Sequence, residues 1–123
     1  MTDDEIQLHL ASRLVGWRYT DRHLEKTYAT ATWKSTMMVV NAIGHLCEIA
    51  WHHPELIVTY NAVRVRLNSH DVGGVTLRDI ELAEKLDAFL LWQPDAAASG
   101  ATGGLTGLPD NPQHRYILTD TMS

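Results

Sequence analysis

The most restrictive stretch of this chain is a long helix that is forced to stop. From Thr32 to Trp51 the apolar residues Trp33, Met37, Val40, Cys47 and Trp51 recur at helical spacing, flanked by Val39, Ile43, Leu46 and Ala50. Thr32 is suited to cap the start. Pro54 disfavours helical geometry at His53, so the helix is expected to end near His52. A strand pattern follows. Ala62 to Ser69 sets Val63, Val65 and Leu67 on one face against Arg64, Arg66 and Asn68 on the other, and the first face is expected to pack on helices.

The remaining segments extend this pattern. Thr2 or Asp3 can cap a first helix, with Asp4 and Glu5 well placed against its dipole, an apolar side of Ile6, Leu8, Leu10 and Leu14, and Gly16 at its end. Trp17 to Tyr19 and Leu24 to Tyr28 read as a hairpin around Thr20-Asp21-Arg22, and Ile57 to Tyr60 as a short strand before Ala62. Gly73-Gly74 permit a tight turn before a last helix. Thr76 is its expected N-cap, with Asp79 at the third position in a Thr-x-x-Asp variant of the capping box; Ile80, Leu82, Ala83, Leu86, Phe89 and Leu90 form the apolar side. The order α-β-β-α-β-β-α predicts an α+β fold, an antiparallel sheet with helices on one face. Beyond Trp92 the composition turns to Ala, Gly, Pro, Ser and Thr without apolar period, which divides the chain into a domain over 1–92 and a flexible tail over 93–123. Within that tail Tyr116-Ile117-Leu118 is a weak docking signal.

Composition narrows the function classes. Fifteen acids against ten bases give a net charge of -5, which argues against a partner held by nucleic-acid phosphates. Cys47 is the single cysteine, so no intramolecular disulfide forms, and its apolar stripe makes it a buried small hydrophobe. No stretch approaches the roughly 20 apolar residues of a membrane span. The opening Met1-Thr2-Asp3-Asp4-Glu5 has no signal-peptide character, so a cytoplasmic protein is expected.

The chemistry is concentrated around the helix stop. Glu48 precedes His52-His53-Pro54; Tyr60, His70 and Asp79 follow. Histidine gives or takes a proton near neutrality, with an unperturbed pKa of about 6.5, so three of them with two carboxylates point to proton-transfer chemistry. The segment EIAWHHPELIVTYNAVRVRLNSHDVGGVTLRDIELA resembles the core motif of the pterin-4a-carbinolamine dehydratases (4a-hydroxytetrahydrobiopterin dehydratases). Gly16-Trp17, Tyr28, Trp33 and Asn41 extend the resemblance upstream, over roughly residues 5 to 90.

The resemblance implies a four-stranded antiparallel sheet covered by three helices, commonly paired into homodimers or homotetramers. It implies dehydration of a 4a-hydroxytetrahydropterin to a quinonoid dihydropterin by histidine general acid–base catalysis, with no metal or redox cofactor, in tetrahydropterin recycling. Carried over, His52 and His70 are the acid–base pair in either order, and His53 binds and orients the pterin. Glu48, one helical turn before His52, is a candidate to orient that imidazole. Asp79 is a candidate for the same task on His70, or simply a helix cap. Pro54 directs the chain after the pair; Ser69 and Trp17 are candidate substrate-binding walls. Tyr60 and Trp33 are expected in the core, and His9, His23 and His114 at the surface. Two positions depart from the family pattern: Trp51 stands where relatives often carry asparagine, and Ser69 where threonine is commoner.

Two rival readings remain. Asn41, His45, Glu48 and His52 line one helix face, but His45 and His52 are about 10 Å apart along it, too far to share a zinc ion while the helix is unbroken. The second rival is a catalytically silent interaction module with a protein partner, since relatives also serve as a dimerisation cofactor for a transcription factor or as rubisco assembly factors.

Overall fold

The computed structural model describes residues 1–92 and 116–118. The chain opens with α1 (Asp3–Arg13), whose start is closed by a full capping box: the Glu5 amide donates to the Thr2 hydroxyl and the Thr2 amide to the Glu5 carboxylate. β1 (Arg18–Thr20) and β2 (His23–Thr30) then form a hairpin. Its central residues, Asp21 and Arg22, both have positive φ, the geometry that matches a two-residue turn to the twist of the strands. The Arg22 carbonyl is held from below by the Asn68 side-chain amide at 2.7 Å.

After α2 (Trp33–Ala50), β3 (Glu55–Thr59) and β4 (Ala62–Leu67) make the second hairpin, and α3 (Leu77–Leu90) follows. The strands run antiparallel, as the α+β pattern predicts, and lie in the order β1-β2-β4-β3. Inward-facing residues of the two central strands, Leu24, Tyr28, Val63, Val65 and Leu67, meet Ile6, Val39, Ile43, Cys47, Ile80, Ala83 and Leu86 from the helices. On the opposite face a charge ladder crosses all four strands: Arg18, Glu25, Arg66 and Glu55 are successive register partners. Arg66 Nε donates to Glu25 at 2.7 Å, and its Nη1 reaches Glu55. Alternating signs at facing positions cover this side of the sheet with ion pairs.

The expected packing of α2 and the expected place of Tyr60 are corrected. The buried face of α2 runs through Thr36, Val39, Ile43 and Cys47, whereas Trp33, Met37, Met38 and Trp51 remain exposed. Both series have helical spacing, and only contact with β2, β4 and α3 selects between them. Trp33 is therefore not a core residue, and neither is Tyr60, which sits at the tip of the β3–β4 turn. The helix ends at Ala50 with Trp51 as its C-cap, close to the stop expected near His52. Finally, Ile117–Leu118 forms a short strand, β5, antiparallel to β2 through Ala29↔Leu118 and Thr30↔Ile117. Ile117 is buried in the core cluster, which is the docking that Tyr116-Ile117-Leu118 hinted at. Residues 93–115, His114 included, and 119–123 lie outside the described residues.

Candidate active site

The end of α2 aims the histidines. Trp51 takes a left-handed conformation, φ 53°, and its amide donates to the Glu48 carbonyl while the His52 amide donates to that of Cys47. This paired hydrogen-bond pattern terminates a helix and reverses the chain. His52 consequently leaves the helical spiral and turns inward, its side chain 15% exposed, while His53 faces outward.

His52 meets a prebuilt acceptor. Its Nε2–H donates to Asp79 Oδ1 at 2.5 Å. The Asp79 carboxylate is fully buried, and its second oxygen accepts from the Ser69 hydroxyl at 2.8 Å and the Thr76 amide at 2.9 Å. Thr76 Oγ1 donates in turn to Ser69 Oγ at 2.8 Å. Three donors on two oxygens is a pattern a carboxylate satisfies well, and a buried polar group needs such partners. With Nε2 committed to Asp79, Nδ1 is the nitrogen left for chemistry. Capping-box geometry at α3 explains the position: Asp79 reaches back to the Thr76 amide and in doing so presents its other oxygen to His52.

These contacts revise the expected pairings. Glu48 does not orient His52; it accepts from His53 Nε2 at 2.9 Å, both side chains being exposed. The one-turn rule fails because residue 51 is not helical. Asp79 supports His52, not His70. His70 is exposed on the turn between Ser69 and Gly74, which closes by Ser69 N–H to the Gly74 carbonyl at 2.9 Å. Gly73 has φ 68° there, where a side chain would be strained. Ser69 is drawn into the site by hydrogen bonding, and Pro54 links the histidine pair to β3. Trp17 lies elsewhere: its indole N–H donates to Asp87, two turns further along α3, and Asp87 also accepts from Lys26 and Tyr28. That cluster is the core network of the opposite helix end. Burial and the neighbouring Asp87 charge push the Tyr28 phenol pKa well up.

Thr76 and Arg78 join the candidate site unannounced as such by the sequence. Thr76 was legible only as a cap. Arg78 makes two hydrogen bonds to Asp71, at 2.8 and 3.0 Å, which tie the His70 turn to α3 and hold the Asp71 carboxyl below its ordinary pKa; His52 adds to that effect. Among the described residues no group of three or more His, Cys, Asp or Glu side chains is arranged to hold a metal ion, and no helix is long and apolar enough to cross a membrane.

The family model described as pterin 4 alpha carbinolamine dehydratase matches residues 1–89. The chain belongs to that family. A relative from Aquifex aeolicus, provisionally named a pterin-4-alpha-carbinolamine dehydratase, is 41% identical over 90 residues, covering 73% of this chain and 90% of that protein. Among solved structures, a transcriptional coactivator/pterin dehydratase from Brucella melitensis is similar with a TM-score of 0.66 and 28% identity, over 72% of this chain and 95% of its own. A pterin dehydratase-like protein identified as a RuBisCO assembly factor in the alpha-carboxysome shares the fold, with a TM-score of 0.53 and 21% identity over 60% and 88% of the two chains. The matched region of this pterin-dehydratase family member ends within α3, so β5 lies beyond it.

Proposed function

We propose that this protein dehydrates a 4a-hydroxytetrahydropterin to the quinonoid dihydropterin, with His52 and His70 as the general acid–base pair, as a cytoplasmic step of tetrahydropterin recycling. The observation that carries the reading is the bond from His52 to the fully buried Asp79. A carboxylate on one imidazole nitrogen fixes the ring's orientation and tautomer, which leaves the other nitrogen for proton transfer.

In the reaction the bond from C4a to the hydroxyl breaks. One imidazole delivers a proton to the departing oxygen, so water leaves instead of hydroxide, and another accepts the proton of a ring N–H as the carbon–nitrogen double bond forms. Each transfer contributes about 10²–10⁴-fold. His53, held by Glu48 at the rim, binds and orients the pterin.

The decisive experiment follows dehydration of a freshly generated 4a-hydroxytetrahydropterin by wild type, His52→Ala and His70→Ala. Acceleration by wild type, lost in both folded variants, supports the assignment. No acceleration over buffer by folded wild type overturns it.

Homo-oligomer formation and a protein-binding role form a second reading, favoured by the unburied apolar side of α2, where Trp33, Met37 and Met38 are exposed. Light scattering of the purified protein separates a monomer from a dimer or tetramer.

A further inference from the structure

The turn that aims the histidines is occupied by an unsuitable residue. Position 51 has φ 53° and ψ 45°, a left-handed conformation that glycine and asparagine adopt readily and a bulky side chain only against steric resistance. Nothing in the cap calls for an indole, because both capping hydrogen bonds use backbone amides. Nor does burial reward it: Trp51 is 74% exposed, among the most exposed large apolar residues of the described chain. Among the described residues its aromatic contact is with a candidate site residue. The indole meets the His53 imidazole in a T-shaped arrangement, centroids 5.0 Å apart with planes at 81°. His53 is thus held on one side by Glu48 and on the other by Trp51.

We infer that Trp51 is a substrate-binding residue: it props His53 and offers its exposed indole face as a stacking platform for the flat bicyclic ring of the substrate. The inference rests on the pterin reading above and names a residue that contributes to ring affinity without taking part in proton transfer. An aromatic face recognises any planar heterocycle through stacking, whatever its substituents, so this contact selects for the ring and not for the side chain it carries. Strain retained at an exposed position beside a reactive group fits a role in binding better than one in folding.

Trp51→Asn and Trp51→Gly test this cleanly, because both suit the left-handed cap and are expected to unfold no more easily than wild type. The probes are the turnover of 4a-hydroxytetrahydropterin and equilibrium binding of biopterin, an oxidised and unreactive pterin. In both variants KM rises and biopterin affinity falls by about tenfold while kcat changes less than about threefold, and Trp51→Phe restores most of the affinity. Unchanged KM and affinity in a folded Trp51→Asn, with wild type binding biopterin, overturn the inference and leave the dehydratase reading standing. A folded wild type that neither binds biopterin nor accelerates dehydration overturns both.

Discussion

His52 and Asp79 stand 27 positions apart in the chain and 2.5 Å apart in space. The imidazole stands just past the end of α2 and the carboxylate in the first turn of α3, so one hydrogen bond joins the ends of two helices and orients the candidate catalytic ring. Asp79 does two things at once, capping α3 through the Thr76 amide and fixing His52. The alternatives of helix cap and histidine partner are therefore not exclusive.

Asp79→Asn separates these tasks. The amide keeps the size of the carboxylate, but its NH₂ group must face at least one of three donors. Expected are a loss of about 1–3 kcal/mol in denaturant unfolding and a fall in kcat of about 10²-fold or more. A stable variant with wild-type kcat would show that the bond is structural only.

Arg66 anchors the ladder on the outer face of the sheet, its side chain 17% exposed beside Glu25 at 8%. Arg66→Ala leaves Glu25 without its main partner and should cost about 2–3 kcal/mol. Arg18→Ala removes the other, far more exposed arginine of the same ladder and should cost less than about 1 kcal/mol. Equal effects in urea unfolding would contradict the burial argument.

Burial pushes the Cys47 thiol up to about 11 from an ordinary value of 9.0. Native protein should resist alkylation at pH 8 and react quickly once unfolded. The sign of the linkage follows: a raised folded-state pKa leaves stability intact below pH 9.0 and withdraws it as pH climbs toward about 11. Wild type and Cys47→Ala should accordingly diverge in the slope of unfolding free energy over that window, and parallel curves would refute it.

Ile117→Ala tests β5. Ile117 is buried against the core while its neighbour Leu118 is exposed. The first substitution should destabilise by about 2 kcal/mol or more and Leu118→Ala by less than about 0.5 kcal/mol. Matching thermal midpoints for both variants would place β5 off the folded domain.

Much of the fold was legible because its signals are local. Thr76 with Asp79 and the alternation of Val63, Val65 and Leu67 each act within a few residues and appear in the structure as expected, and of the two candidate caps of α1 it is Thr2 that closes the helix. Of the residues that the family motif singled out, Ser69, His52 and Asp79 converge in space. The wiring of the site was not legible. Reading Glu48 against His52 assumed an unbroken helix, and the left-handed turn at Trp51 hands Glu48 to His53 instead.

By itself the sequence determined the elements, their order and the residues able to transfer protons, since periodicity, caps and side-chain chemistry belong to short stretches of chain. Only the tertiary structure decided which face of α2 is buried, that Ile117 completes an edge of β2, and which carboxylate serves which histidine. Those outcomes depend on contacts between elements distant in the chain, where several partners satisfy the same local pattern and packing admits one.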